Sequence, residues 1–122
     1  MRQVRVVFES EAEKAYKELV RIAAEEKSNG IANSDNQRLL KSIDNKVERL
    51  KIDPTFGDPV PKKLFPKEYV LKYEINNLWD IDLVDYWRML YTLRGDRVEV
   101  ICLILEYMPH PEYDKKFGYR KK

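Results

Sequence analysis

The sequence predicts an α+β domain in which an N-terminal strand and a two-helix hairpin pack on an antiparallel sheet of about four strands. Residues 2–8 alternate in polarity, two stretches with three/four apolar spacing follow behind capping motifs, and alternating or apolar runs fill the second half. A chain of 122 residues holds one core and has no room for a second catalytic domain, so residues 1–122 are read as a single domain.

In the first segment Val4, Val6 and Phe8 fall on one face, as in a strand. Ser10-Glu11-Ala12-Glu13 reads as a capping box, in which the serine hydroxyl takes a free amide of the first turn and Glu13 reaches back. The helix it opens, 10–27, carries Ala12, Ala15, Tyr16, Leu19, Ile22 and Ala23 at helical spacing and ends at Ser28-Asn29-Gly30. Ser34-Asp35-Asn36-Gln37 opens a second helix, 34–51, with the stripe Leu39, Leu40, Ile43, Val47 and Leu50, stopped before Pro54. Two such helices joined by a short loop form an antiparallel hairpin that needs one shared apolar surface.

Residues 53–61, DPTFGDPVP, hold three prolines and a glycine and are expected to form an irregular surface loop. Residues 62–77 read either as a short helix around 67–73 or as an extended arm. Beyond them Trp79, Ile81 and Leu83 alternate with Asp80 and Asp82, and Trp87, Met89, Tyr91 and Leu93 alternate with Arg88, Leu90 and Thr92. Arg94-Gly95-Asp96 is a hairpin turn, and residues 98–106 form an almost wholly apolar central strand. If both tryptophans face the helices, the period of two puts Asp80, Asp82 and Arg88 together on the opposite face. A charged face on an otherwise apolar sheet needs a reason.

Composition narrows the function classes. The single cysteine, Cys102, excludes an internal disulfide and lies in an apolar run, where it reads as a buried structural thiol. No metal-ligand pattern is visible and no cofactor is expected. Apolar runs fall short of the roughly 18–20 residues that span a bilayer and no cleavable leader is evident, so a cytoplasmic protein without a membrane partner is expected. The Arg94-Gly95-Asp96 tripeptide therefore does not read as an adhesion motif. The net charge of +2 excludes a uniform polycation, but the charge is segregated. The first helix is acid-rich, whereas Lys62, Lys63 and Lys67 and the C-terminal segment are basic.

That C-terminal segment, residues 107–122, contains the only histidine, His110, with Tyr113 and then Lys115, Lys116, Arg120, Lys121 and Lys122. Imidazole is the side chain that ordinarily titrates near neutrality, so a proton donor/acceptor, a phenol and a phosphate-attracting field stand together. This is the equipment of a metal-free nuclease. The plainer alternative is a solvated basic tail with an incidental histidine. Arg88 likewise has the plain alternative of an ion pair with its neighbouring aspartates, and Tyr113 that of an amphipathic cap on the core.

The order of strand, two helices and three strands resembles the RelE/ParE superfamily of type II toxin–antitoxin toxins. The likeness is carried by Leu50, Asp53, Pro54 and Gly57 after the second helix, LWDIDL at 78–83, YWRMLYTL at 86–93, an apolar strand and HPEYDKKFGYR at 110–120. It runs from Val4 to Arg120, and the ending HPEYDK is similar to the HigB branch. The resemblance implies a toxin that inhibits translation as a ribosome-dependent mRNA interferase, cutting the message in the ribosomal A site. The ParE branch, which inhibits DNA gyrase by binding, is the alternative, although it would not be expected to carry a terminal acid/base cluster. Implied partners are the ribosome, mRNA and a cognate acidic antitoxin, and self-association into a homodimer stays open.

By resemblance Arg88 stabilises the scissile phosphate, while His110 and Tyr113 stand where C-terminal catalytic or nucleotide-positioning groups lie. Cutting RNA through its own 2′-hydroxyl needs a base, an acid for the leaving 5′-oxygen and fixed positive charge for the phosphorane. Arg88 supplies a fork for the phosphate, His110 a base or acid, and Tyr113 a group to orient the nucleotide. Lys115, Lys116 and Arg120 favour the approach of RNA, and Lys62, Lys63, Lys67 and Lys72 of the connecting arm add charge. The chain departs from RelE itself, which carries two lysines where Asp80 and Asp82 stand. Either one aspartate is the base with His110 as acid, or the pair neutralises Arg88 and leaves a degenerate, inactive protein that binds RNA or an antitoxin.

Overall fold

The computed structural model describes residues 3–96 and 98–118. Strand β1 (Gln3–Phe8) leads into helices α1 (Ser10–Ser28) and α2 (Asp35–Ile52). Strand β2 (Asp58–Pro59), helix α3 (Lys67–Tyr73) and strands β3 (Trp79–Asp82), β4 (Trp87–Gly95) and β5 (Glu99–Pro109) follow, and helix α4 (His110–Phe117) packs last.

The class is α+β, as expected, but the sheet has five strands in the order β1-β5-β4-β3-β2, and it is mixed. β1 runs parallel to β5, with Val6 opposite Cys102, because the α1–α2 hairpin carries the chain across one face and back. The extra strand, β2, comes from the segment expected to be an irregular surface loop, and pairs Asp58 with Asp80 and Pro59 with Trp79. Proline is tolerated there because β2 is the sheet edge and its outward side needs no donor. Gly57 just before it is required by space: a Cβ would lie 2.6 Å from the Asp80 carbonyl oxygen and 2.8 Å from the Tyr91 hydroxyl.

Both helix starts use side-chain caps, one of them shifted. Glu9 is the first cap, accepting from the Glu11 amide at 3.0 Å, and Ser10 donates its hydroxyl to Glu9 instead of capping. Glu9 is the last extended residue after β1, which makes its side chain the one placed over the open amides. At α2 the expected Ser34 cap forms, accepting from the Gln37 amide at 3.1 Å. Gln37 reaches back to the amide of Asn33. Glu26 of α1 takes hydrogen bonds from Ser34 and Asn36 and ties the hairpin closed.

The two long helices lie on one sheet face, as their stripes require. Ala12, Leu19, Leu39, Ile43 and Leu50 pack there on Ile81, Met89, Tyr91, Cys102 and Ile104, with Trp79 and Trp87 half-buried beside them. Burial pushes the Cys102 thiol up to about 12, as for a structural cysteine.

The opposite face is not the open charged surface expected. It holds a second core of Tyr69, Ile75, Leu78, Leu90, Leu105, Met108, Tyr113 and Phe117, covered by α3 and α4. Tyr113 and Phe117, four residues apart, are on the inner side of α4 and are 3% and 6% exposed, so through Phe117 the basic segment is a docked helix, not a solvated tail. A bulge at Leu105 shifts the register between β4 and β5, and Glu106 and Met108 then point to this second face while Tyr107 packs with Trp87. Among the described residues no helix is long and apolar enough to cross a membrane.

Candidate functional site

The β3–β4 hairpin and the start of α4 build the site. Asp82 sits directly opposite Arg88, and Asp80 is two residues back on the same face of β3. Arg88 Nη1 meets Asp82 Oδ1 at 3.1 Å and Asp80 Oδ1 at 3.4 Å. Beneath it lies the ring of Tyr113, with the guanidinium carbon 4.6 Å from the ring centroid. The Tyr113 hydroxyl donates to Asp80 Oδ2 at 2.6 Å. Arg88 is thus held by a stacking ring and two carboxylates, and one carboxylate is itself fixed by that ring's hydroxyl.

The two aspartates differ sharply. The Asp82 side chain is 77% exposed and that of Asp80 only 9%. Burial raises the Asp80 pKa, and the hydrogen bond from Tyr113 and the charge of Arg88 offset this only in part.

His110 opens α4, with Nε2 3.2 Å from Asp114 Oδ2 and its ring edge-on to Tyr113 at 6.2 Å between centroids. It borders an open cleft of about 590 Å³ together with Asp82, Leu83, Asp85, Tyr86, Trp87 and Arg88. Of the expected catalytic set, Arg88, His110 and Asp82 therefore share one cleft. Asp80 and Tyr113 are in contact with Arg88 but lie below the surface. Docking of α4 buries Tyr113 and puts its ring under the guanidinium, so it positions Arg88 and has no open face for a nucleotide. The same packing covers Asp80, which cannot reach an incoming 2′-hydroxyl as a base would.

The basic residues are more scattered than the sequence suggests. Lys116 is committed to Glu68 and, at 3.6 Å, to Glu106, and lies over the Tyr69 ring, so it is a strut of the second core and not an RNA contact. Burial acts to lower its pKa, but the two carboxylates together outweigh that and leave it raised. Lys62 and Lys67 border a separate apolar depression with Phe65, Val70, Leu71 and Ile75. Lys72 lies over the Tyr73 ring at 5.4 Å, beside α1. Lys63 and Lys115 are exposed. Among the described residues none of these lysines lines the Arg88 cleft, and Arg120 lies outside the described residues, as do Lys121 and Lys122.

Two cleft residues, Asp85 and Tyr86, escaped the sequence reading as site residues. The hairpin between β3 and β4 turns on Asp85 (φ 57°) and Tyr86 (φ 63°), both left-handed, closed by the Trp87 amide donating to the Val84 carbonyl and flanked by the Leu83 amide donating to the Trp87 carbonyl at 2.8 Å. This is the geometry of a type I′ turn, which normally takes Asn or Gly. A side chain larger than glycine in that region costs about 1–2 kcal/mol. Val84-Asp85-Tyr86 carries no glycine or asparagine, so the turn was announced only by Asp85 and by the short gap between two alternating runs, and Tyr86 is the residue that fits it poorly.

Among the described residues no group of three or more His, Cys, Asp or Glu side chains is placed to share a metal ion. Compared with protein-family models, curated proteins and solved structures, the chain matches none of them.

Proposed function

We propose that this protein is a RelE/ParE-type toxin, a ribosome-dependent endoribonuclease that cuts mRNA and halts translation. The observation that carries the reading is the meeting of Arg88, His110 and Asp82 on one cleft. In the reaction the 2′-oxygen of the message attacks phosphorus, the bond to the 5′-oxygen breaks, and a 2′,3′-cyclic phosphate and a free 5′-hydroxyl result. Asp82, exposed where Asp80 is not, takes the 2′-proton, and His110, steadied by Asp114, protonates the leaving oxygen. Arg88 carries the charge that builds on the phosphorane, held ready by Tyr113 and Asp80. The ribosome supplies the message, and an acidic antitoxin covering the cleft keeps the protein silent.

The test is cleavage of mRNA on programmed ribosomes. Arg88→Ala and His110→Ala should each lower the rate by roughly 10²-fold or more, with an unchanged far-UV spectrum. Failure of the wild type to cut overturns the reading. A second reading is favoured by the contact of Arg88 with both Asp80 and Asp82, which offset its charge. In that case the protein is an inactive relative that only holds RNA or an antitoxin, and both variants leave ribosomes and message as the wild type does.

A further inference from the structure

Tyr86 is 84% exposed, an aromatic ring standing in water at the rim of the cleft that contains Arg88 and His110. Among the described residues no packing accounts for it, and its backbone is in a conformation that penalises a bulky side chain. The turn that carries it is nevertheless fastened down. Arg38 of α2 donates to Asp85 at 3.1 and 3.3 Å, and the Val84 amide donates to the Ser42 hydroxyl at 3.0 Å. A strained turn clamped to a helix, with one ring projecting beside a phosphate-binding fork, is a preorganised platform.

We infer that Tyr86 is the nucleobase platform of the cleft: its ring stacks on the base next to the phosphate that Arg88 holds and so sets which nucleotide is placed for cutting. This rests on the nuclease reading and goes beyond it, since the expected stacking group, Tyr113, is buried under Arg88. Stacking is the interaction an isolated exposed ring can offer, because every base has a π-face and a rigid ring loses little freedom on meeting one. Selectivity then follows from stacking strength, with purines favoured over pyrimidines.

The experiment measures binding of short single-stranded RNAs with 2′-O-methyl sugars, which cannot be cleaved, by fluorescence titration. Tyr86→Asn removes the ring and suits the left-handed turn, so its melting temperature should equal or exceed that of wild type, while binding weakens roughly ten-fold. Tyr86→Phe keeps the ring and should bind as wild type. In a series of RNAs each carrying one abasic nucleotide, a single position should abolish the difference between wild type and Tyr86→Asn, identifying the stacked base. If Tyr86→Asn binds normally while Arg88→Ala is weakened, the platform is refuted, and the nuclease reading is decided separately by cleavage on ribosomes. If Tyr86→Phe loses as much as Tyr86→Asn, the hydroxyl and not the ring is responsible, and stacking is refuted. A wild type that holds none of these RNAs overturns the inference, and the separate ribosome assay then decides the nuclease reading.

Discussion

Under α1 and α2 the sheet offers Ile81, Met89, Cys102 and Ile104 to leucines and an isoleucine, while under α3 and α4 the same strands offer Asp80, Thr92 and Glu106 among Leu78, Leu90 and Leu105. Each polar group on the second face has a partner. Asp80 takes the Tyr113 hydroxyl, Glu106 the Tyr69 hydroxyl at 2.5 Å, and the Thr92 hydroxyl donates to the Asn77 carbonyl at 2.7 Å. The first face is held mainly by apolar area, which is non-directional and tolerates small shifts. Its directed bonds run near its edge, from the Tyr91 hydroxyl to the Pro54 carbonyl and from the Gly57 amide to that hydroxyl, and between the helices from Tyr16 to Asp44. The second adds to its own apolar core a set of directed bonds, which specify where each group points, and its outer rim is the cleft. Apolar area thus weighs more on the first face and directed geometry more on the second, and substitutions can separate them.

The largest effect is expected on the apolar side. Leu50 is fully buried there, and Leu50→Ala should cost about 2–5 kcal/mol in urea unfolding while leaving the activity of each folded molecule unchanged. A loss of activity per folded molecule would show that the faces are not separable. On the polar side, Tyr113→Phe removes one hydroxyl and leaves a buried carboxylate oxygen short of a donor, for about 1–3 kcal/mol. Here cleavage should fall further than the fraction unfolded accounts for, because Arg88 loses its fixed support. Equal losses in stability and activity would break the comparison.

The smallest effect is a change of slope. The folded pKa of Asp80 is raised, chiefly by burial, so the residue's contribution to stability is fully present below the ordinary aspartate pKa and is lost as pH rises through the raised value. Asp80→Asn keeps an acceptor for Tyr113 and has no charge to bury. The stability of wild type relative to this variant should therefore decline as pH climbs through that acid window and level off above it. Unfolding curves at stepped pH check the sign: an increase with pH would mean that Arg88 and Tyr113 outweigh burial.

The division of faces was partly legible in the sequence. Parity along β3 and β4 put Trp79 and Trp87 with the helices and Arg88 with the aspartates, because a period of two is a local property of the strand. The helix hairpin was legible for the same reason, from its stripes and the Ser34 cap. What covers the second face was legible only as alternatives: the short helix at 67–73 forms as α3 in place of an extended arm, and Tyr113 caps the core as its plainer reading had it, although lysines dominate 110–117 and hide the helical spacing of Tyr113 and Phe117. Strand partners are non-local, so neither the parallel pairing of β1 nor the edge strand at Asp58–Pro59 could be read off. The bulge at Leu105 fits in an unbroken apolar run and leaves no trace in it. In the site, Arg88, His110 and Asp82 were found by residue type, whereas the interior places of Asp80, Tyr113 and Lys116 depend on α4 docking.

The parallel pairing of β1 with β5 also predicts an order of assembly. The α1–α2 hairpin and the β3–β4–β5 meander are each built from neighbours in sequence and can form quickly, but Gln3 must find Glu99. Joining positions that far apart carries a large loop-closure entropy, repaid only once both local units exist. β1, one residue from α1, is therefore expected to enter as the closing strand, bringing the helix hairpin onto the sheet in the same motion. Docking of β1 is accordingly the step at which folding can stall, and until it happens β5 presents an unsealed edge.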